Sequence, residues 1–298
     1  MDLIRLNEIR LDPVQSLYNS HTRIDVLRLD LIHPVISGNK WFKLKHYLAD
    51  ALKLNKKYLL TFGGAFSNHI VATAAAAKAS DIKSIGVIRG EEPEILSQSL
   101  VNAKEEGMEL YFSGREDYSL KKIPEQVFIH YEREDVYVVG EGGFGIKGME
   151  GAMEILDLIP LKNYHHIVAA TGTGTMLAGL INVVNETAKV TGITVLKNNV
   201  SVENEIRSLL PSPSASFQII YDYHFGGYAK KTGRLIDFMN EWYTKTGIPS
   251  DFVYTGKLFF AVNDLIEKSY FPAGENILII HSGGLQGNNS LPKGTLIF

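Results

Sequence analysis

Cysteine is absent from the 298 residues, which excludes disulfides, thiolate metal sites and cysteine nucleophiles. Charge of one sign is also missing: 30 Lys and Arg stand against 33 Asp and Glu, a formal net charge of −3. Such a balance offers no electrostatic footprint for nucleic acid or an anionic membrane. Long apolar runs are lacking. Ala74 to Ala77, behind Ile70-Val71-Ala72, falls far short of the ~18 residues that a membrane helix needs. Met1-Asp2-Leu3-Ile4-Arg5 has no apolar signal core. The nine histidines form no metal pattern, because there is no His-Glu-x-x-His and the adjacent His165-His166 would face opposite sides of a strand. No Gly-x-Ser-x-Gly nucleophile elbow occurs. These absences lead to the expectation of a soluble, cytoplasmic protein with no metal and no nucleic-acid or membrane partner.

What is present is enough chain for about two domains at ~150 residues each. Apolar residues make up 45% of it, enough for a sizeable core and a cleft. Strand-like runs are expected at 58–62, 84–88, 108–112, 136–139, 166–170, 193–196, 217–220 and 277–280. Helical patterns are expected from 40 onward and at 67–79, 95–106, 175–185, 202–209, 231–246 and 258–268. Strands alternating with helices predict an α/β fold of two Rossmann-like lobes with parallel sheets covered on both faces. The glycine-rich 141–145 reads as a crossover between lobes, and Pro211-Ser212-Pro213-Ser214 as a surface loop. Glu91-Glu92-Pro93-Glu94 reads as a solvated helix start.

Four places could carry chemistry. Lys40, in Ser37-Gly38-Asn39-Lys40, would sit at a helix N-terminus, where the macrodipole disfavours an ammonium and favours a free amine for attack on an aldehyde. The plain reading is a surface lysine beside Lys43 and Lys45. Gly63-Gly64-Ala65-Phe66-Ser67-Asn68-His69 is a strand-to-helix turn whose free N–H groups suit a carboxylate, against the alternative of an ordinary N-cap. Gly172-Thr173-Gly174-Thr175 offers amides and hydroxyls to a phosphate. It is neither a dinucleotide fingerprint, since 177 is Leu, nor a P-loop, since Leu180 follows Gly179. Ser282 stands at the carboxyl end of a buried strand, where open α/β sheets place ligands. Tyr228 and Tyr254, in Gly226-Gly227-Tyr228 and Asp251-Phe252-Val253-Tyr254-Thr255-Gly256-Lys257, join it.

These motifs, in this order from Asp30 to Gly287, resemble the pyridoxal-phosphate enzymes related to tryptophan synthase β (fold type II). Within them the chain is similar to the D-cysteine desulfhydrase and 1-aminocyclopropane-1-carboxylate deaminase family. The resemblance implies pyridoxal 5'-phosphate as cofactor, carried by Lys40. It implies that Asn68 and Gly172, Thr173, Gly174 and Thr175 bind the cofactor's ring hydroxyl and phosphate, and that Ser67, Asn68 and His69 grip a substrate carboxylate. Ser282 fits the hydroxyl facing the pyridine nitrogen, with Thr255 as the other candidate. Lys40, Ser67, Tyr228 and Tyr254 are the implied catalytic set. Residues 1–45 and 149–298 would form a large cofactor lobe, 46–148 a small inserted lobe, and two chains a homodimer.

Three departures from the family pattern stand out. Thr175-Met176 occupies the place of Gly-Thr, Phe66 that of a common glutamine, and Thr255 that of the deaminases' glutamate. The last favours β-elimination from a small, D-configured amino acid, giving pyruvate, ammonia and sulfide. The alternatives are ring opening of 1-aminocyclopropane-1-carboxylate to 2-oxobutyrate, and a non-catalytic amino-acid binder on the same fold.

Overall fold

The computed structural model describes residues 4–16, 22–184, 188–211 and 216–298. The expected helix end at Asn185 and most of the expected loop at 211–214 lie outside the described residues.

The chain opens with an antiparallel pair, β1 (Leu11–Gln15) and β2 (Arg23–Arg28), followed by α1 (Asn39–Lys53). Next come β3 (Tyr58–Gly63), α2 (Asn68–Ala79), β4 (Lys83–Arg89), α3 (Gln98–Glu105), β5 (Met108–Ser113), α4 (Arg115–Ser119), α5 (Glu125–His130) and β6 (Val136–Val139). The remainder is α6 (Ile146–Met153), β7 (His166–Thr171), α7 (Thr175–Val184), β8 (Lys189–Thr194), α8 (Val202–Leu209), β9 (Gln218–Ile220), α9 (Gly233–Thr246), α10 (Thr255–Glu267) and β10 (Ile277–His281).

Two sheets result. The smaller runs β5-β4-β3-β6 and is parallel throughout. The larger runs β1-β2-β10-β7-β8-β9, parallel except at its β1 edge. Alternation along β10 shows how it is covered. Ile277 and Ile279 pack with Trp242 of α9 and Phe259 of α10, while Leu278 and Ile280 pack with Leu177 of α7 and Ile206 of α8. A strand apolar on both faces belongs between two helical layers. In α1, Leu44, Tyr47, Leu48 and Ala51 follow helical spacing and pack on Leu59 and Ala72 of the smaller unit. Among the described residues no helix is long and apolar enough to cross a membrane.

Several expectations need correction. The larger sheet is parallel as expected except for the antiparallel β1 at its edge, and neither β1 nor β2 was anticipated. Pro13 and the charges in Arg23-Ile24-Asp25-Val26-Leu27-Arg28 hide them, and proline suits an edge strand. Strand β8 begins at Lys189, four residues before expected. Helix α3 starts at Gln98, since Ser97 accepts the Leu100 N–H at 3.3 Å. Glu91-Glu92-Pro93-Glu94 is therefore an exposed loop ahead of the helix and not its first turn. Thr232 caps α9, which begins two residues late at Gly233. Helix α10 begins at Thr255 instead of 258, because the Asp251 carboxylate accepts the N–H groups of Val253, Tyr254 and Thr255, each at 2.9 Å.

Candidate active site

The carboxyl ends of β3, β7 and β10 meet the start of α1 around one cleft of about 360 Å³. The site residues expected from the sequence line it, Thr255 excepted: Lys40, the Ser67-Asn68-His69 run, the 172–175 turn, Tyr228, Tyr254 and Ser282. Close backbone approach brings two of these pieces together. A Cβ on Gly38, whose φ is +64°, would lie 1.9 Å from the Ser282 carbonyl oxygen, so glycine alone fits where α1 begins beside β10's end.

Lys40 is the second residue of α1. Its Nζ donates to Asn39 Oδ1 at 2.7 Å and stands 5.9 Å from the centre of the Tyr254 ring. Asn39 in turn donates from Nδ2 to Met176 Sδ at 3.2 Å, so the unusual Met176 fixes the carboxamide that holds Lys40. Burial lowers the Lys40 pKa to about 8, with the Asp251 charge opposing that shift. The expected cause was the helix macrodipole; loss of water accounts for the direction instead.

Ser67 is an N-cap as well as a cleft residue, its hydroxyl accepting from Ile70 N at 3.4 Å. Asn68 Nδ2 donates to Gly284 O at 3.3 Å, and its Oδ1 is buried without a partner. His69 Nε2 lies 2.8 Å from Thr61 Oγ1, which donates its single proton to Val139 O at 3.0 Å. His69 Nε2 therefore carries the proton, and Nδ1 keeps a free lone pair, buried and unpartnered. Burial, reinforced by the charges of Lys43 and Lys40, holds this imidazole neutral well below its ordinary pKa.

In the 172–175 turn, Gly174 adopts φ +73° and the Thr173 and Thr175 hydroxyls lie 3.1 Å apart. Thr171 Oγ1 just before it is buried without a partner. The two tyrosine rings pack edge to face at 6.3 Å. The Tyr228 hydroxyl donates to Phe66 O at 2.9 Å. Burial pushes the Tyr228 pKa up to about 12 and that of Tyr254 well above its usual value. Thr255 does not join them: it is fully buried, and its hydroxyl donates to Asp251 Oδ1 at 2.7 Å.

Sequence reading missed three groups. Lys43, given no role from the sequence, is buried and lines the cleft, and it makes no ion pair among the described residues. Burial and the nearby Lys40 charge drive its pKa far down. Its signal was its place on the apolar stripe of α1, three residues after Lys40 and one before Leu44. Asp251 and Lys257, both fully buried, flank Tyr254 in sequence. They carried no signal beyond their place in the Tyr254 motif.

Comparison with known proteins adds a family. The sequence model described as "Pyridoxal-phosphate dependent enzyme" matches residues 9–283. A Pyrococcus horikoshii relative named "Putative 1-aminocyclopropane-1-carboxylate deaminase" is 32% identical over 92% of this chain and 90% of its own. A mitochondrial "Bifunctional D-cysteine desulfhydrase/1-aminocyclopropane-1-carboxylate deaminase" from Arabidopsis thaliana is 26% identical over 89% of this chain and 73% of its own. Among solved structures, a homologue of 1-aminocyclopropane-1-carboxylate deaminase superposes with a TM-score of 0.77 at 32% identity, covering 90% of this chain and 86% of that one. An O-ureido-L-serine synthase shares the fold with a TM-score of 0.70 at 13% identity, covering 98% and 96%.

Proposed function

We propose, from the premise that this chain belongs to the pyridoxal-phosphate-dependent enzyme family, that it is a lyase converting D-cysteine and water to pyruvate, ammonia and sulfide. Membership of an enzyme family argues against the non-catalytic reading. The proposal includes the division into a lobe of residues 1–45 with 149–298 and an inserted lobe of 46–148, a homodimer, and a cytoplasmic location.

The cleft suits the cofactor. Unpartnered buried polar atoms gather on its lining, at Asn68 Oδ1, His69 Nδ1 and Thr171 Oγ1. The Thr173 and Thr175 hydroxyls and the N-terminus of α7 suit a phosphate, and buried Lys43 is an amine whose lowered pKa a bound anion would raise again. Lys40 is the amine available to an aldehyde. When bound, pyridoxal phosphate supplies that aldehyde and an electron-accepting ring.

The chain's own groups then divide the work. Free N–H groups at the start of α2 orient the substrate carboxylate. Lys40, with a pKa near 8, changes protonation close to neutral pH, so its Nζ takes the proton from the substrate α-carbon. Tyr254 retains its proton at that pH and donates it to the departing sulfur. Tyr228, fastened to Phe66 O, keeps the mouth of the cleft narrow around the reacting atoms.

Thr255 carries the choice of reaction. With its hydroxyl closed on Asp251, the polar side chain at the end of β10 that lines the cleft is the neutral Ser282. A neutral hydroxyl leaves a facing pyridine nitrogen without a proton and the ring a weaker electron acceptor. Prompt loss of a good leaving group such as a thiol then fits better than opening an unactivated ring. The second reading, 1-aminocyclopropane-1-carboxylate deaminase, draws on the name of the 32% identical relative. Purified protein loaded with cofactor should release sulfide and pyruvate from D-cysteine. Release of 2-oxobutyrate from the cyclopropane acid, with D-cysteine inert, would reverse the assignment.

A further inference from the structure

Lys257 is a charged side chain sealed in the core. It is fully buried on α10, three residues after Tyr254, and no carboxylate among the described residues lies within ion-pair distance of it. Its Nζ donates to the carbonyl oxygens of His224 at 2.9 Å and Gly227 at 2.8 Å. Those two oxygens already close two successive turns, accepting from Gly227 N at 3.0 Å and Lys230 N at 3.1 Å. One ammonium thus joins both turns of the segment that bears Tyr228.

The segment needs such a fastening. Phe225, Gly226, Gly227 and Ala229 have φ of +51°, +94°, +118° and +52°, and side-chain-bearing residues rarely hold positive φ without outside support. Tyr228 sits among these four. Its ring meets Tyr254 edge to face at 6.3 Å, and its hydroxyl reaches Phe66 O across the cleft. Because Lys257 and Tyr254 share the start of one helix, a shift of the 224–230 segment relative to Lys257 is also a shift of Tyr228 relative to Tyr254. Asp251 faces the lysine electrostatically and opposes the loss of its charge, while burial lowers its pKa to about 8. Either protonation state has the two N–H donors that the two carbonyls require.

We propose that Lys257 is a positioning residue, whose two hydrogen bonds to the 224–230 segment set Tyr228 against Tyr254 and Phe66. The role rests on the reading of the cleft given above. It acts through Tyr228 and involves no contact of Lys257 with substrate.

The test pairs a structural readout on cofactor-free protein with kinetics on the loaded enzyme. Lys257→Met keeps the side chain's bulk and removes its donors. Hydrogen exchange at the Gly227 and Lys230 amides should accelerate on the order of 10–100-fold, the scale of a lost hydrogen bond to a charged group, with the amides of α7 unchanged. In the loaded enzyme kcat should fall about 10–100-fold with KM nearly constant, the scale of a small misplacement of a reacting group. Tyr228→Phe should cost a similar factor, and the double variant should be no slower than the slower single one. Lys257→Gln, which retains two N–H donors, should recover part of both losses. Unchanged exchange at 227 and 230, or penalties that multiply in the double variant, would overturn the proposal. So would failure of both the Met and Gln variants to fold, since the lysine would then be a general core requirement. If the wild-type protein turns over no amino acid, the functional reading falls, while the exchange measurement still decides the role of Lys257.

Discussion

Two strand-to-helix turns line the same cleft, yet they differ in what packs against them. At the start of α2, the polar groups are Ser67, Asn68 and a histidine held neutral by burial and two nearby lysines. At the start of α7, the turn carries only threonine hydroxyls, but the buried Lys43 amine stands close by. A Cβ on Gly142 would lie 2.9 Å from Thr173 Cγ2, and one on the adjacent Gly143 only 3.2 Å from Lys43 Cε. Helix N-termini attract anions in either case. A dianion bound there would restore the charge of that amine and so stay bound, as a cofactor phosphate must. The neutral turn suits a carboxylate that arrives and leaves with each turnover, since a buried full charge would hold the product as firmly as the substrate. We propose that phosphate retention and substrate exchange divide between the two turns through the close packing of Lys43 beside Gly143, its field reaching His69 as well.

The variant with the largest expected effect removes the amine at the start of α1. Lys40→Ala should lose about 10²–10⁴-fold in turnover, the range of a lost general base, and should no longer be labelled when loaded protein is treated with borohydride. The native amine should react with acylating reagents in cofactor-free protein along a curve rising through about pH 8. The sign for stability follows. The unfolded lysine keeps its proton to about 10.5, so the folded state releases it first. Stability therefore rises with pH between about 8 and 10.5, and that slope should become shallower in Lys40→Met, with the part from Lys257 and Lys43 remaining. The next variant separates the turns. Lys43→Met should weaken cofactor binding by about 10–100-fold, as expected for a lost charge-assisted contact, while KM measured at saturating cofactor stays close to wild type. An equal rise in KM would mean that Lys43 serves the carboxylate, and the contrast between the turns would fail.

Periodicity and breakers made both turns legible because each is local. The glycines stop β3 and β7, and the apolar spacing of α2 and α7 begins immediately afterwards. Lys43 and Lys257 were not legible, since a lysine's burial depends on residues far away in sequence. Gly143 packs on Lys43, and the carbonyls of 224 and 227 receive Lys257. Asp251 was hidden for a related reason: its carboxylate takes N–H bonds that would otherwise mark a later start for α10. The β1–β2 pair was lost because proline and buried charge break the alternation on which strand recognition depends. Asp25, for example, is tolerated in β2 because Tyr164 donates to it at 2.7 Å and Arg23 at 3.0 Å.

The smallest effect falls on the neutral turn and sharpens the comparison from the other side. Ser67 has two uses: its hydroxyl caps α2 through Ile70 N, and it faces the cleft. Ser67→Ala should therefore cost about 1 kcal/mol of stability, the usual value of an N-cap, visible as a lower thermal midpoint without cofactor. It should also raise KM by about tenfold, the effect of one lost neutral hydrogen bond to a bound carboxylate, with cofactor affinity unchanged. Ser67→Asn retains capping ability with a different shape, and separates the two uses. If Asn restores the thermal midpoint while KM stays high, the hydroxyl contacts the substrate. If KM recovers together with the midpoint, Ser67 acts only by holding the first turn of α2 in place, and the carboxylate is gripped by the backbone N–H groups alone.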